Sequence, residues 1–386
     1  MSHKPVIALL GGGQLGRMFI ENALRYDALV HVLDPDPKAP CAALAHRFVP
    51  GRFDDRATVL AFAADADVVG IEIEHVSVEA LEELVAMGKR VIPDPRVLRI
   101  IQDKGAQKSF YASHDIPSAP FTLLDDGRDA RHHTDRFPAF LKARRGGYDG
   151  KGVMALRTAA DAEQAFAGPC VLEHQVSIAK ELAVLVVRAD NGTTVVYDPV
   201  EMVFDPRFNL VDHLRTPAQV SARVDEEARA LAERVANAFA APGLYAVELF
   251  LTTDGRVLVN ETAPRAHNSG HHSIEACASS QFDQLLRLYL GLPPGSPRLN
   301  GHAAMINLVG EGGTGEPEVQ GLDDVLAFAG TFMHLYGKHE TRTGRKMGHI
   351  TVCAPDAGSL DEGLALAKDH ARVVPRAHQE HEPTQR

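Results

Sequence analysis

Tryptophan is absent, cysteine occurs only four times and aromatic residues make up 6% of the 386-residue chain. Cys41, Cys170, Cys277 and Cys353 lie far apart with no C-x-x-C pair. That excludes a disulfide framework and a cysteine zinc site, leaving scattered reduced thiols. No apolar run approaches the roughly 18 residues that span a bilayer. The stretch Val6–Leu10, followed at once by glycines, is too short for a signal-peptide core. An excess of positive charge is missing too. The 40 Lys and Arg against 51 Asp and Glu give a net charge of −11, which argues against a general binder of nucleic acid or anionic membrane. What is present, 45% hydrophobic and 24% charged residues, is the composition of a globular protein. At about 150 residues per domain the length implies two or three domains. The expectation is a cytoplasmic globular protein.

Short apolar runs alternate with helical patterns at the start of the chain. Residues 6–10, 29–33 and 67–73 read as strands, and 16–26 and 77–87 as helices. Such alternation indicates a doubly wound parallel sheet, placed at residues 1–98. From about Pro120 the rhythm changes to closely spaced strands with glycine-rich turns, at 139–144 and 153–157. Strands at 182–188 and 193–197 flank Asp190-Asn191-Gly192, a hairpin signal. A helix at 225–239 carries Ala228, Leu231, Val235 and Phe239 at helical spacing. Residues 291–297, rich in Gly and Pro, read as a linker to a smaller module. The expected division is 1–98, 99–295 and 296–375, with a frayed polar tail at 376–386.

Gly11-x-Gly13-x-x-Gly16 follows a strand and opens a helix, and Asp34 closes the next strand 18 residues after Gly16. That is close to the dinucleotide fingerprint, in which glycines admit a pyrophosphate and the acid takes a ribose hydroxyl. Taken alone, the loop equally fits a tight strand-to-helix turn or a site for a single phosphate at the helix N-terminus.

The densest chemical segment runs from Phe140 to Val153. Gly146, Gly147, Gly150 and Gly152 lie between two strand-like runs, with Lys142, Arg144, Arg145 and Lys151 around them. Bare glycine amides close on phosphate oxygens and cations offset the charge. The string is no Walker A loop, and a β-hairpin flap over a nucleotide fits it better. Further on, Asp254-Gly255 reads as a two-residue hairpin turn that pairs Thr253 with Arg256. Glu248 and Glu261 each lie five residues from that pair, which sets them opposite one another. Cβ atoms of such pairs are ~5 Å apart and like charges there are destabilising. A cation relieves the repulsion, and carboxylates plus nucleotide phosphates are how magnesium is usually held. Asn260 is a further oxygen donor beside them.

With these pieces in order, the chain resembles the ATP-grasp ligases, and within them the N5-carboxyaminoimidazole ribonucleotide synthases. The match runs from Gly11-Gly-Gly-Gln-Leu-Gly-Arg-Met18 through Glu72-Ile-Glu74 and Gln102-Asp-Lys104. It continues through the flap, Asn260-Glu-Thr-Ala-Pro-Arg-Ala-His-Asn-Ser-Gly-His271 and Leu335-Tyr-Gly-Lys338, to Arg345-Lys-Met-Gly-His349, so it covers nearly the whole chain. The resemblance implies an α/β and α+β protein. Its parts would be a Rossmann-like N-terminal domain that binds no dinucleotide, an ATP-grasp central domain with a lid at about 120–178, and a small β-rich C-terminal domain. It implies carboxylation of 5-aminoimidazole ribonucleotide through carboxyphosphate, with ATP, bicarbonate and magnesium (manganese as a substitute), in a homodimer.

By the same resemblance, Lys104 and Lys142 contact ATP phosphates. Gly147, Tyr148, Asp149, Gly150, Lys151, Gly152 and Val153 form the flap. Glu173, His174, Gln175 and Val176 are the adenine hinge, Glu181 takes the ribose, and Glu248 and Glu261 hold the metal with Asn260 beside them. The ribonucleotide falls to Glu74, Tyr148, Asp149, Lys151, Arg265, His267, Lys338 and Arg345. Of these, Arg265, His267 and Lys151 are the catalytic candidates, Arg265 because its planar fork matches two oxygens of carboxyphosphate. The chain departs from the family's pattern at Phe204 (often His), Lys151 (often Arg) and Ala266 (often Pro).

Other readings are weaker. His267, His271 and His272 lack an H-E-x-x-H setting for zinc, and G-x-S-x-G is absent. The rival functions are another ATP-grasp ligase, such as a formate-dependent glycinamide ribonucleotide transformylase, and an NAD-dependent oxidoreductase resting on Gly11, Gly13, Gly16 and Asp34.

Overall fold

The computed structural model describes residues 4–146, 152–205, 207 and 210–376. Gly147, Tyr148, Asp149, Gly150 and Lys151 of the expected flap, and residues 377–386 of the expected tail, lie outside the described residues.

The apolar runs of the first part form β1 (Val6–Leu10), β2 (Leu29–Asp34), β3 (Arg47–Pro50), β4 (Val68–Ile71) and β5 (Arg90–Ile92), a parallel sheet in the order β3-β2-β1-β4-β5. β4 is buried along its whole length, which is why it reads as an unbroken apolar string rather than an alternating one. Helices α1 (Gln14–Ala23), α2 (Arg56–Phe62), α3 (Val78–Ala86) and α4 (Pro95–Ile101) accompany the sheet. Asp55, Ser77 and Asp94 cap the last three through side-chain oxygens, satisfying amides that a helix start leaves open. The expected boundary at 98 falls within α4, and α5 (Lys104–Ser113) follows at once.

A four-stranded antiparallel sheet comes next. It comprises β6 (Phe121–Leu124), β7 (Ala139–Ala143), β8 (Val153–Leu156) and β9 (Cys170–His174), ordered β6-β9-β7-β8, with the short α6 (Ala159–Ala162) after β8. The largest sheet begins with β10 (Ile178–Arg188), β11 (Thr194–Val196), β12 (Val200–Asp205) and β13 (Leu210–Thr216). Helix α7 (Ala222–Phe239), capped by Ser221, then leads into β14 (Gly243–Thr252) and β15 (Val257–Ala263). α7 starts three residues before the expected helix and buries Val224, Ala228, Leu231, Val235 and Phe239. They pack with Val184, Val186, Val247 and Val257 of the sheet. Each large side chain so buried stabilises the fold by about 1.5–3 kcal/mol.

After α8 (Ser273–Ala276) and α9 (Gln281–Tyr289) the chain enters β16 (His302–Val309), β17 (Pro317–Gln320), α10 (Leu322–Ala327), β18 (Thr331–Leu335), β19 (Lys346–Ala354), α11 (Ala357–His370) and β20 (Arg372–Pro375). The C-terminal strands do not form a sheet apart. β13 pairs with β16, so the order runs β15-β14-β10-β12-β13-β16-β19-β18 without a break, with β11 pairing β10 off this path. β17 and β20 pair separately. The continuity carries the C-terminal module against the face that holds the carboxylates. Among the described residues no helix is long and apolar enough to cross a membrane.

Candidate functional site

Glu248 on β14 does face Glu261 on β15, but not by the expected turn. Thr252, not Thr253, closes on Arg256, through the amide of Thr252 and the Arg256 carbonyl at 2.9 Å, and Gly255 takes φ +84°. The loop is therefore three residues, Thr253-Asp254-Gly255, with the glycine where a left-handed conformation is needed. Nearer the site, Leu249 pairs with Val259 while Glu248 pairs with Glu261. The extra residue is Asn260, a bulge that restores the register the longer turn had shifted. It also turns the Asn260 amide toward Glu248, with Nδ2 donating to Oε2 at 3.4 Å.

The two carboxylates differ electrostatically. Burial, then Glu261, then Glu181 push Glu248 up to about 8. For Glu261 burial acts upward, but Lys104 and Lys142 outweigh it and hold the group below its ordinary value. Lys104 Nζ lies 3.2 Å from Glu261 Oε2, and the Glu261 side chain keeps 49% of its surface open within the cleft. Of the apo pair, Glu248 is therefore the carboxyl that favours its proton and Glu261 the one that favours its charge. Two facing carboxylates, one unable to ionise alone, suit a divalent cation. Among the described residues no group of three or more acidic, histidine or cysteine side chains is placed to hold a metal ion. A cation here takes its other oxygens from phosphate and water, as magnesium does.

Around this pair the structure gathers several of the expected residues. His267 Nε2 is 3.5 Å from Glu248 Oε1. Burial first, then Arg265 and Lys346, pull the imidazole down to about 3, so it is neutral. Its Nδ1 accepts from the Ser269 amide at 3.3 Å, which leaves the proton on Nε2, toward the carboxylates. Arg265 pairs with Glu74 at 2.8 Å and donates to the Ala266 carbonyl. Glu181 on β10 is raised by burial against the pull of Lys142. Lys338 donates to the Lys346 carbonyl at 2.6 Å and lies over the Tyr336 ring. Burial first, then Arg345, lower its pKa to about 8, so an anion beside it would find a site short of negative charge. Arg345 donates to the Glu340 carbonyl, and Gly152 and Val153 are exposed at the end of the β7–β8 hairpin where its two strands are joined.

Some expected cations are committed elsewhere. Arg144 makes a two-point contact with Asp103, at 2.8 and 2.9 Å. Asp103 also caps α5 through the amides of Gly105 and Ala106. Arg144 therefore fastens the hairpin to α5 instead of facing a phosphate. Glu173 does not present its side chain to a base. It is buried between Lys108 at 2.5 Å and Lys142 at 2.7 Å, two lysines that compete for one carboxylate. In the hinge, the His174 and Gln175 amides are bonded to the Pro120 and Pro138 carbonyls. That leaves the Val176 amide and the His174 and Gln175 carbonyls for a ligand edge. Phe204 sits next to a bulge in the β12–β13 ladder.

The glycine loop is filled from within. The Glu72 carboxylate accepts from the Gly13 amide at 2.6 Å and the Leu15 amide at 3.0 Å, the place a pyrophosphate takes in a dinucleotide domain. Asp34 accepts from the Gly12 amide at 2.7 Å and the Asp36 amide at 2.8 Å, so both its oxygens are already engaged by the backbone. Gly11, at φ +103°, and Gly13 are glycines because a Cβ on either would run into Glu72. The oxidoreductase reading is corrected on this ground. A fluorescence titration with NADH is expected to show no saturable binding, and saturation abolished by Asp34→Ala would restore that reading.

The zinc reading has no support either. His271 and His272 are buried and bonded, to Gln281 and to the Ser269 carbonyl. A separate cavity of about 280 Å³ between α1 and α9, walled in part by Arg25, Asp283 and Arg287, shares no residue with the carboxylate cluster. Sequence reasoning gave no role to Glu72, Asp103, Lys108, Gln281 or Lys346. Glu72, Asp103 and Lys346 lay inside quoted motifs, whereas Lys108 and Gln281 carried no local signal.

Three family models match the chain. They are the ribonucleotide synthetase preATP-grasp domain over residues 5–102, the ATP-grasp domain over 109–282 and the phosphoribosylaminoimidazole carboxylase C-terminal domain over 303–363. The N5-carboxyaminoimidazole ribonucleotide synthase of Bacillus subtilis is 36% identical over 90% of this chain and 90% of its own. That of Brucella melitensis is 35% identical over 90% and 96%. A chloroplastic phosphoribosylaminoimidazole carboxylase of Vigna aconitifolia is 37% identical over 94% of this chain, which spans 67% of that longer protein. The crystal structure of N5-carboxyaminoimidazole ribonucleotide synthetase from Thermotoga maritima superposes with a TM-score of 0.89 at 39% identity, covering 96% of this chain and 100% of its own. The Aspergillus clavatus synthase in complex with ADP and 5-aminoimidazole ribonucleotide gives 0.85 at 32%, covering 96% and 98%.

Proposed function

We infer the reaction from family membership: the chain belongs to the N5-carboxyaminoimidazole ribonucleotide synthases, ATP-grasp ligases. It catalyses the ATP-dependent carboxylation of 5-aminoimidazole ribonucleotide to N5-carboxyaminoimidazole ribonucleotide in purine biosynthesis, with magnesium as the metal. The observation in this chain that supports the reading best is Glu248 against Glu261 with Lys104 beside them, a place built for a cation and phosphates.

In the mechanism we propose, bicarbonate attacks the γ-phosphorus of ATP, ADP leaves, and carboxyphosphate forms. The exocyclic amine of the aminoimidazole then bonds to the carboxyl carbon, directly or after release of carbon dioxide in the closed site, while phosphate leaves and the amine loses a proton. Lys104 and Lys142 neutralise charge on the phosphates, and Glu173 keeps Lys142 in place. Glu248, Glu261 and Asn260 hold magnesium, which when bound offsets charge on the transferring phosphoryl group. Arg265, oriented by Glu74, offers its fork to carboxyphosphate. His267, neutral with its proton on Nε2, donates a hydrogen bond to a developing oxyanion. Lys338 and Arg345 take the phosphate of the ribonucleotide. By the family resemblance the segment from Gly147 to Val153 is assigned to ATP, and Tyr148, Asp149 and Lys151 to the ribonucleotide. Val176 reads the base edge and Glu181 the ribose. A cytoplasmic homodimer is the setting we propose.

ADP release measured with each substrate omitted in turn tests the reading. Full turnover is expected only with bicarbonate and the aminoimidazole ribonucleotide together, whereas formate-dependent release would move the protein to another ATP-grasp activity. Arg345→Ala is expected to raise KM for the ribonucleotide about tenfold or more, as loss of a charge-assisted contact does, with KM for ATP little changed. An unchanged ribonucleotide KM would place that phosphate elsewhere.

A further inference from the structure

The segment bearing Arg265 and His267 is a loop, from Pro264 to His272, between β15 and α8. Loops drift unless something fixes them, and catalytic geometry tolerates little drift. What fixes this one is Gln281, the first residue of α9, whose side chain is fully buried. Its Oε1 accepts from the His267 amide at 2.8 Å, and its Nε2 donates to the His267 carbonyl at 2.9 Å. The same Nε2 meets His271 Nδ1 at 3.0 Å. One amide therefore grips the backbone of His267 on both sides and a histidine four residues on. Its own backbone amide donates to Ser273 Oγ, which donates to the Gly270 carbonyl. Gly270 must be glycine here, because a Cβ would collide with Gln281 Oε1.

A second amide holds the far side of the loop. Asn268 and Asn307 exchange hydrogen bonds at 2.9 and 3.0 Å, and Asn307 donates to the Val211 carbonyl at 2.7 Å. Asn307, on β16, is 7% exposed. The loop is thus held between α9 and the C-terminal strands.

We propose that Gln281 is a positioning residue for the carboxylation. Its primary amide, as acceptor and donor at once, sets the His267 backbone and through it the places of His267 Nε2 and Arg265 relative to carboxyphosphate. Only an amide side chain of this length serves. A carboxylate loses the donors to the His267 carbonyl and His271, and an apolar isostere loses all three bonds. The inference rests on the roles proposed for Arg265 and His267.

Gln281→Leu keeps the volume and removes the bonds. Turnover is expected to fall about 100-fold, the scale of a catalytic group displaced by about 1 Å, with KM for ATP within threefold of the parent. Because misplaced groups let carboxyphosphate decompose, ADP released per carboxylated product is expected to rise above one, a readout that packing alone would not move. If Gln281→Leu fails to fold, Gln281→Glu is read instead, and the same fall in turnover and the same uncoupling are expected. Turnover within threefold and a ratio of one in whichever variant folds would overturn the proposal. So would loss of ATP affinity in step with turnover, the mark of general unfolding. His267→Ala is measured in parallel. If it too is near the parent, the reading of the site has failed; if it is crippled while the Gln281 variants are not, the clamp alone has.

Discussion

Replacing Glu261 with Gln is expected to lower turnover by at least about 100- to 1000-fold, because metal neutralisation of a transferring phosphoryl group is worth several kcal/mol. Stability is expected to change by less than about 1 kcal/mol. The lost Lys104 partner, half exposed, is worth about 0–1 kcal/mol, and the relieved repulsion across the strand pair returns a similar amount. The variant also has a pH signature. Glu248 is raised from 4.5 to about 8 in the folded parent, so the folded state binds more protons than the unfolded one between those values. The contribution of this group is complete below pH about 4.5 and is lost as pH rises through about 8. With Gln at 261 the opposing charge is gone, Glu248 ionises more readily, and that slope flattens. Binding of magnesium and ATP to the parent near pH 7 is expected to expel close to one proton from Glu248; binding to the variant expels less, because burial, the larger cause, remains but the Glu261 charge is gone. Calorimetry in buffers of different ionisation enthalpy measures this directly. Near-normal ADP release at ordinary magnesium would remove Glu261 from the metal site.

Glu173→Gln is expected to have the largest effect on stability, a loss of about 3–5 kcal/mol. Glu173 and Lys108 side chains are 4% and 6% exposed, so removing the carboxylate strands an ammonium in a dry interior. Burial already lowers the Lys108 pKa against the pull of Glu173. Without the partner the folded protein holds that lysine uncharged, while the unfolded chain keeps its proton to about 10.4. The unfolded state then binds more protons, and the loss is larger at pH 7 than at pH 10. Urea midpoints at the two pH values check the sign. Lys142 loses its anchor in the same step, so KM for ATP is expected to rise. A variant as stable as the parent would mean that Lys108 has another counter-charge.

Local pattern made the architecture legible. Buried apolar strings separated by capped helices named the parallel sheet, and the change to closely spaced hairpins marked where it ends. The facing of Glu248 and Glu261 was legible for a reason only half correct. The turn is one residue longer than a two-residue hairpin, and the Asn260 bulge returns the shifted register. A turn type can be read from two residues, but a compensating bulge depends on what the whole strand must bury, so no local signal announces it. The ordered motifs pointed to the family because many chemically distinctive side chains fall there in one order along the chain.

The sequence by itself therefore determined the class of sheet, the set of cations and carboxylates, and the chemistry they imply. Which of those charges remain for the ligand was decided only by the tertiary structure. Arg144 is taken by Asp103, Glu173 by two lysines, and the glycine loop by Glu72. His267 owes its place to Gln281, and the C-terminal module reaches the site because β16 continues the central ladder. The physical reason is one of range. Periodicity and turn preference record which face of an element is buried and where it stops, over a few residues at a time. A buried charge or amide is settled by whichever partner the folded chain delivers to it, and those partners lie 59 residues away for Glu72 and Gly13, 41 for Asp103 and Arg144, and 14 for His267 and Gln281.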